Sequence, residues 1–247
     1  MIRALFIWLA AAFTAGAAME QASKPSVLTP EEAAKAGREL AAKILSERPA
    51  QNFTNTGVIK VQAGKTRTEI PVQFLVGQLN EGTWQALYRT TATSNNTHLL
   101  VVHEAGKANR YLHGGAPGDA PQLQGNETMT PFAGSDFWVA DLGLEFLHWP
   151  EQHLLRKEIR RGQACNVLES VNPQPAPGAY SRVLSWIDID TDGIINAEAF
   201  DAKGKPLKDF AAKSFKKVRG EWELQEIQME NRQTGSRTSI EFNLSSK

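Results

Sequence analysis

The residues with the clearest chemical spacing in this chain of 247 residues are three aspartates before a glycine. Asp188, Asp190 and Asp192 precede Gly193 in the D-x-D-x-D-G order that opens an EF-hand calcium loop. Such a loop needs a glutamate at its twelfth position to bind the cation with two oxygens, and that position is Ala199. The sequence therefore favours a hairpin turn, since Asp and Gly suit turn geometry, and leaves open whether these aspartates ever bind a cation.

The other residues that could do catalytic chemistry are scattered. The five histidines show no H-E-x-x-H zinc pattern, and Gly134-Ser135-Asp136 lacks the second glycine of a nucleophile elbow. Asp136 and Asp141 are the carboxylates that we expect near a cavity, in a capping or solvated role rather than a catalytic one. Cys165 lies in a strand pattern that is typical of a structural thiol. We therefore expect a protein that is not an enzyme, with no metal site and no cofactor.

The overall charge argues against a nucleic-acid partner. Lys+Arg and Asp+Glu number 27 each, so the net charge is zero and no basic surface is indicated. Hydrophobic residues make up 41% of the chain, which is enough to bury a sizeable core.

The N-terminus predicts export. Arg3 precedes an apolar run over residues 4–13, and small residues follow at Ala17 and Ala18. This order is typical of a secretory signal peptide, and the run is shorter than the roughly 20 residues of a membrane-spanning helix. We expect residues 1–18 to be cleaved near Ala17/Ala18, leaving a single periplasmic domain over residues 19–247. The sequence has no cysteine at the predicted cleavage point, so we expect no lipid anchor.

The elements that must position any site are one helix and many strands. Thr29-Pro30 indicates a helix start, Leu40 and Ile44 lie on its apolar stripe, and Pro49 ends it. From about residue 52 onward, short runs with a period of two alternate with turn residues, which is typical of antiparallel strands. Residues 131–149, which we call the lid, are too rich in large apolar groups for a surface loop, although Ser135-Asp136 could cap a short helix there.

We therefore predict a mostly β (α+β) fold: a half-open, curled antiparallel β-barrel of about ten or eleven strands. Sheets with this many strands curl, and the concave apolar face then needs a cover, for which the N-terminal helix and the lid are the candidates. The predicted lining of the cavity consists of large apolar residues, namely Leu40 and Ile44 from the helix, Phe74, Trp84, Tyr88, Leu99, Val101, Trp186, Phe200 and Phe242 from the strands, and Phe137, Leu142 and Phe146 from the lid. An error of one residue in a strand would turn these side chains to the other face.

Several short segments occur in the order seen in the outer-membrane lipoprotein-sorting (LolA-like) family. They extend over about 110 residues, and the most specific are Gly134-Ser135-Asp136-Phe137 before Asp141-Leu142, Gly162-Gln-Ala-Cys165-Asn-Val-Leu-Glu169, Tyr180-Ser181-Arg182 before Trp186-Ile187-Asp188, Phe200-Asp201-Ala-Lys-Gly204-Lys205, Gly220-Glu-Trp222, and Met229-Glu230-Asn231-Arg-Gln-Thr234-Gly235 before Thr238. Residues 132–242 therefore resemble this family of periplasmic carriers.

The resemblance implies a function as well as a fold. A half-open barrel of this kind would hold the acyl chains of a lipid or lipoprotein and carry them between an inner-membrane transporter and an outer-membrane acceptor, with transient membrane contact only. The buried arginine that holds the lid in well-studied carriers has no counterpart that we can assign here. Two alternatives stay open: a non-enzymatic binding or scaffold subunit of a cell-envelope complex, and an envelope hydrolase.

Overall fold

The computed structural model describes residues 28–91, 96–115, 120–218 and 220–244. The predicted signal peptide therefore lies outside the described residues. The helix α1 spans Pro30–Ser46 and begins where the sequence indicates, with a capping box in which Thr29 Oγ1 accepts from Glu32 N–H at 3.3 Å and Glu32 Oε2 accepts from Thr29 N–H at 2.8 Å. No helix among the described residues is long and apolar enough to cross a membrane.

The strands form one antiparallel sheet. In chain order they are β1 Phe53–Ala63, β2 Thr66–Asn80, β3 Thr83–Thr90, β4 His98–Glu104, β5 Arg110–Gly114, β6 Gln122–Leu123, β7 Glu151–Arg160, β8 Gln163–Val171, β9 Arg182–Asp188, β10 Ile194–Phe200, β11 Pro206–Val218, β12 Glu221–Asn231 and β13 Arg237–Phe242. Their order across the sheet is β6-β5-β4-β3-β2-β1-β13-β12-β11-β10-β9-β8-β7. The predicted mostly β, curled and half-open fold is confirmed, since the sheet is not closed into a barrel.

The strand number differs from the prediction. Thirteen strands are present in the described part of the chain, against the ten or eleven expected. The additional strands are β5 and β6, which have five and two residues. Segments this short cannot display an alternation of apolar and polar residues, so sequence periodicity does not reveal them.

The chain order places the lid across the open side of the sheet. The two edge strands, β6 and β7, are consecutive in sequence, and the connection between them must cross from one edge to the other. This connection begins with a 3₁₀ turn at Gly125–Thr128 and continues into the lid, which contains the short helix α2 at Val139–Leu142 and a second 3₁₀ turn at Glu145–His148. The lid therefore covers the inner face of the sheet, as its apolar composition indicates.

The helix α1 covers the same inner face from the side of β7. Gly37 faces the β7 backbone so closely that a Cβ atom there would lie 2.6 Å from the carbonyl oxygen of Gln152. Lys43, one turn before the end of α1, forms an ion pair of 2.7 Å with Asp192 in the turn between β9 and β10. Ile44 of α1 and the apolar side chains of the lid pack into the main hydrophobic core together with those of the inner face.

Antiparallel connectivity divides the hairpins between two ends of the sheet. The end at which the chain turns between β2 and β3, β4 and β5, β7 and β8, β9 and β10, and β11 and β12 is called rim 1. The opposite end, where β1 turns into β2, β3 into β4, β8 into β9, β10 into β11 and β12 into β13, is called rim 2.

Candidate functional site

The candidate site is an apolar cavity of about 40 Å³ between the lid and strands β9 to β12. The lid contributes Phe137, Leu144 and Phe146, and the sheet contributes apolar residues from each of the four strands. The full lining is Phe137, Asp141, Leu144, Phe146, Tyr180, Val183, Ile194, Ala197, Ala199, Lys208, Phe210 and Met229.

Small side chains on β10 create this space. Ala197 and Ala199 face the cavity, while Glu198 between them faces outward and accepts a hydrogen bond from Arg160 at 3.0 Å. A shift in the β9–β10 register between Ile194 and Asn196 brings Ile194 to the same face as Ala197 despite their odd spacing. The inner face is thus under-filled at β10, and the lid covers the space that results.

Polar contacts fasten the lid to rim 2. The Asp136 carboxylate accepts hydrogen bonds from the hydroxyls of Ser236 at 2.5 Å and Thr238 at 2.8 Å. Asp136 N–H in turn donates to Thr238 Oγ1 at 2.9 Å. Asp136 therefore binds the lid to β13. The sequence suggested that Ser135-Asp136 could cap a short helix, but α2 begins only at Val139, so Asp136 is not its cap.

A buried lysine forms the second fastening. Lys208 on β11 is 2% exposed, and its ammonium donates to the backbone oxygen of Asp136 at 2.6 Å. It also lies 3.6 Å from the Asp141 carboxylate and 3.4 Å from the centre of the Trp138 ring. Burial lowers the pKa of Lys208 to about 8, although Asp141 and Asp136 act in the opposite direction.

Asp141 joins the lysine to the lid. Its carboxylate accepts from Trp138 N–H at 2.7 Å, which caps α2, and from the Tyr180 hydroxyl at 3.0 Å. Burial raises the pKa of Asp141, and Lys208 opposes that shift. The pKa of Tyr180 is raised well above its usual value by burial and then by Asp141, so Tyr180 keeps its proton and donates it in the hydrogen bond.

A second cavity of about 40 Å³ lies on the other limb of the sheet, against the end of α1. Trp84 and His103 stack there with ring centroids 3.7 Å apart. Burial lowers the pKa of His103 to about 3, and His148 adds to that shift, so this ring is neutral at ordinary pH. Ile44, Tyr88 and Leu142 also line it, and its full set of lining residues is Ile44, Leu45, Glu47, Trp84, Ala86, Tyr88, His103, Leu142, Gly143 and Leu144.

Eleven of the thirteen predicted lining residues lie in or against the main core. Nine are buried in it, namely Ile44, Phe74, Tyr88, Leu99, Val101, Phe137, Leu142, Phe146 and Phe242, and two pack against it, Leu40 and Trp84. Of these, Phe137 and Phe146 line the candidate cavity. Ile44, Trp84, Tyr88 and Leu142 line the second cavity, and the others fill the core. The role of all thirteen as a ligand lining stays a prediction.

The predicted inward orientation is wrong for Trp186 and Phe200. Trp186 belongs to a small separate cluster with Cys165, and the Arg160 guanidinium lies 4.4 Å from the centre of its ring. The Arg182 guanidinium covers the ring of Phe200 at 4.3 Å. Their neighbours Ile187 and Ala199 belong to the main core instead, and Ala199 lines the cavity, so each assignment is displaced by one residue.

Several residues of the cavity were not predicted from the sequence, above all Lys208, Tyr180 and the two alanines of β10. The alanines carry a signal that can be recognised, because Ala197 and Ala199 recur with a period of two in a strand whose other positions are larger. Lys208 carries none, since a lysine that alternates with apolar residues normally faces solvent.

The aspartate motif forms a turn. Asp188 Oδ1 accepts from Thr191 N–H at 2.9 Å and from the Thr191 hydroxyl at 2.7 Å, which is an ordinary side-chain turn contact. Asp192 is paired with Lys43. No group of three or more metal-binding side chains comes together in the parts of the chain that the structure describes.

Comparison with known proteins places this fold. The chain aligns with a putative outer membrane lipoprotein-sorting protein domain from Vibrio parahaemolyticus with a TM-score of 0.70 at 21% identity, covering 85% of this chain and 92% of that one. A DUF1329 family protein from Desulfovibrio piger gives a TM-score of 0.69 at 20% identity, covering 85% and 91%. A LolA superfamily protein from Nitrosomonas europaea gives 0.58 at 17% identity, covering 86% and 92%.

Sequence comparison is less informative about activity. No curated protein matches the chain. A family model described as "Uncharacterized protein" matches residues 85–245, well over half of the chain. The chain therefore belongs to that family, and its fold is the one that LolA superfamily and outer membrane lipoprotein-sorting proteins share.

Proposed function

We propose that this protein is an exported, periplasmic carrier that holds the acyl chains of a lipid or lipoprotein between its curled sheet and its lid. The observation that carries the proposal is the apolar cavity under the lid, with Phe137 and Phe146 above it and Ala197, Ala199 and Met229 below. Burial of an apolar chain against such a surface is favourable by about 25 cal/mol per Å².

The size of the cavity requires the lid to move. Its volume is about 40 Å³, whereas sites that bury a small organic ligand have volumes of roughly 300–1,000 Å³. Space for an acyl chain can come from lifting the lid off β10, because the small side chains there already leave the sheet surface low. The described structure therefore corresponds to the closed form of the proposed carrier.

The lid is fastened in a way that suits such a movement. In addition to its packing in the core, Asp136, Asp141 and Lys208 hold it at rim 2 through hydrogen bonds and one ion pair. Hydrogen bonds exchanged for bonds to water contribute only about 1 kcal/mol each, so releasing them needs far less free energy than unfolding the sheet.

The fold supports a carrier over an enzyme. The three similar structures described above are named as lipoprotein-sorting, LolA superfamily or DUF1329 proteins and not as enzymes. The charged groups at the cavity, Asp141 and Lys208, are bound to one another and to the lid, an arrangement that suits a fastening better than a nucleophile with its base. Partners of the carrier would be an inner-membrane transporter and an outer-membrane acceptor.

The second candidate is a binding or scaffold subunit of an envelope complex. The observation that favours it is the same small cavity, since a scaffold needs no ligand beneath its lid. Uptake of an apolar probe distinguishes the two functions.

The test is a titration of the mature protein with a fluorescent fatty-acid probe, with native mass spectrometry of the protein purified from the envelope fraction. Ala199→Val fills the cavity, and Ala211→Val, on the neighbouring strand and outside the lining, is the matched control. We expect the wild type and Ala211→Val to bind the probe and Ala199→Val to bind at least about tenfold more weakly. Thermal melts confirm that both variants fold.

Two outcomes would contradict the proposal. One is an apo mass together with no probe uptake by the wild type, which would favour the scaffold. The other is equal uptake by Ala199→Val and the wild type, which would mean that the probe binds elsewhere.

A further inference from the structure

Large apolar side chains are exposed unevenly on this protein. Six are exposed among the described residues, and four of these lie at rim 1: Leu79 (52%), Ile159 (71%), Ile189 (36%) and Trp222 (39%). The other two, Leu28 and Leu155, lie before α1 and within the edge strand β7. None of the six lies in a rim 2 hairpin, as far as the chain is described.

Each of the four side chains stands at a different hairpin. Leu79 is next to the last residue of β2, Ile159 is next to the last of β7, Ile189 follows β9, and Trp222 is the second residue of β12. Isolated surface leucines and isoleucines are common, but these four side chains stand at four neighbouring hairpins of rim 1 and form a row along that end of the sheet.

Cations flank two of these tips, whereas exposed Glu81 and Asp190 stand beside the tips of Leu79 and Ile189. Exposed Lys157 and Arg161 neighbour Ile159 in the β7–β8 hairpin. Exposed Lys217 is the cross-strand partner of Trp222, and Lys216, whose ammonium donates to the Leu244 carbonyl at 3.1 Å, precedes Lys217 on β11. Tryptophan with aliphatic and basic side chains is the combination that anchors proteins in the interfacial region of a bilayer, where the cations meet lipid phosphates.

We propose that rim 1 contacts a lipid bilayer surface, with Leu79, Ile159, Ile189 and Trp222 entering the interfacial region. A bilayer fits better than a folded partner, because the four side chains stand on separate tips and form no single groove for a partner's side chain to fill. Rim 1 lies at the opposite end of the sheet from the lid contacts of Asp136 and Lys208, so a bilayer at rim 1 does not cover those contacts. The proposal does not depend on the cavity having a ligand.

The test is flotation of the mature protein with vesicles of phosphatidylethanolamine and phosphatidylglycerol. The variant replaces all four tip residues by serine (L79S/I159S/I189S/W222S). The control is Leu155→Ser, whose side chain is 41% exposed but lies on the sheet edge away from the rim. We expect the wild type and Leu155→Ser to float with the vesicles and the fourfold variant to bind at least about tenfold more weakly.

Brominated lipids provide a local readout that does not depend on the fourfold variant. Trp222 fluorescence is quenched if this residue enters the bilayer, and the quenching is lost in Trp222→Phe. Failure of the wild type to float, or equal losses in the fourfold variant and Leu155→Ser, would overturn the proposal. Uptake of the fatty-acid probe is measured in a separate experiment. A protein that does not bind vesicles could still take up the probe, and a protein that takes up no probe could still bind vesicles, so each result tests one proposal.

Discussion

Lys208 shows most directly how one residue holds the lid. Its ammonium is buried against Asp136, Asp141 and the Trp138 ring, and it bridges β11 to the lid. Lys208→Met should lower the free energy of unfolding by about 3–5 kcal/mol, because it leaves the Asp141 carboxylate buried without its cation. Urea denaturation of the purified protein measures this change.

Two controls show whether the loss comes from the orphaned charge. Lys208→Met combined with Asp141→Asn should recover most of the lost stability, since no buried charge is left unpaired. Lys203→Met, at an exposed lysine in the β10–β11 turn, should change stability by less than about 0.5 kcal/mol. A Lys208→Met variant as stable as the wild type would mean that the pair does not hold the lid.

The pKa of Lys208 adds a dependence on pH. This lysine releases its proton at about 8 in the folded chain and near its usual value of 10.5 when unfolded. Between these values the unfolded chain binds more protons, so the stability of the wild type should rise with pH relative to Lys208→Met. A falling difference over this window would mean that the attraction of Asp141 outweighs the burial of the lysine.

At the scale of elements, the close packing of α1 on β7 depends on Gly37. Alanine raises helix propensity by about 1 kcal/mol, but its Cβ would lie 2.6 Å from the backbone of Gln152 and His153. The backbone of β7 cannot shift without straining the sheet, so Gly37→Ala should be destabilising by about 1–3 kcal/mol despite the better helix propensity of alanine. Thermal denaturation beside exposed Arg38→Ala, for which we expect almost no change, checks this.

The same elements show what a sequence can and cannot predict. The helix start at Thr29-Pro30 and eleven strands were predictable, because capping residues and alternation act locally. The face of Trp186 was not, because Trp186 and Leu184 belong to a second apolar cluster, so both faces of β9 carry large apolar side chains and the alternation does not tell them apart. Most of the cavity's lining was missed because the cavity arises where side chains are small, whereas the prediction selected the largest ones.

At the scale of the whole molecule, the order of the strands determines which part of the structure opens with the lowest free energy. β1, β2 and β13 lie in the middle of the sheet and pair on both sides, whereas the lid connects the two edges and is held by core packing and polar side-chain contacts, without pairing to a strand of the sheet. Local unfolding follows such differences in contact. Amides of the lid should therefore exchange with solvent through an opening of lower free energy than that for the amides of the central strands.

Native-state hydrogen exchange measures this difference, with the Phe132 amide as reporter, since Phe132 is buried and its amide donates to the Phe137 carbonyl at 2.8 Å within the lid. Thr238→Val removes the acceptor of the Asp136 amide and a donor to the Asp136 carboxylate but leaves the reporter's own hydrogen bond intact, so the free energy of lid opening should fall by about 1–3 kcal/mol. Thr68→Val, at an exposed position of β2, should leave the lid unchanged. If lid amides instead exchanged only with global unfolding, the lid could not rise from an intact sheet. An acyl chain would then have no route into a cavity of about 40 Å³, and the carrier function would have to be abandoned in favour of the scaffold.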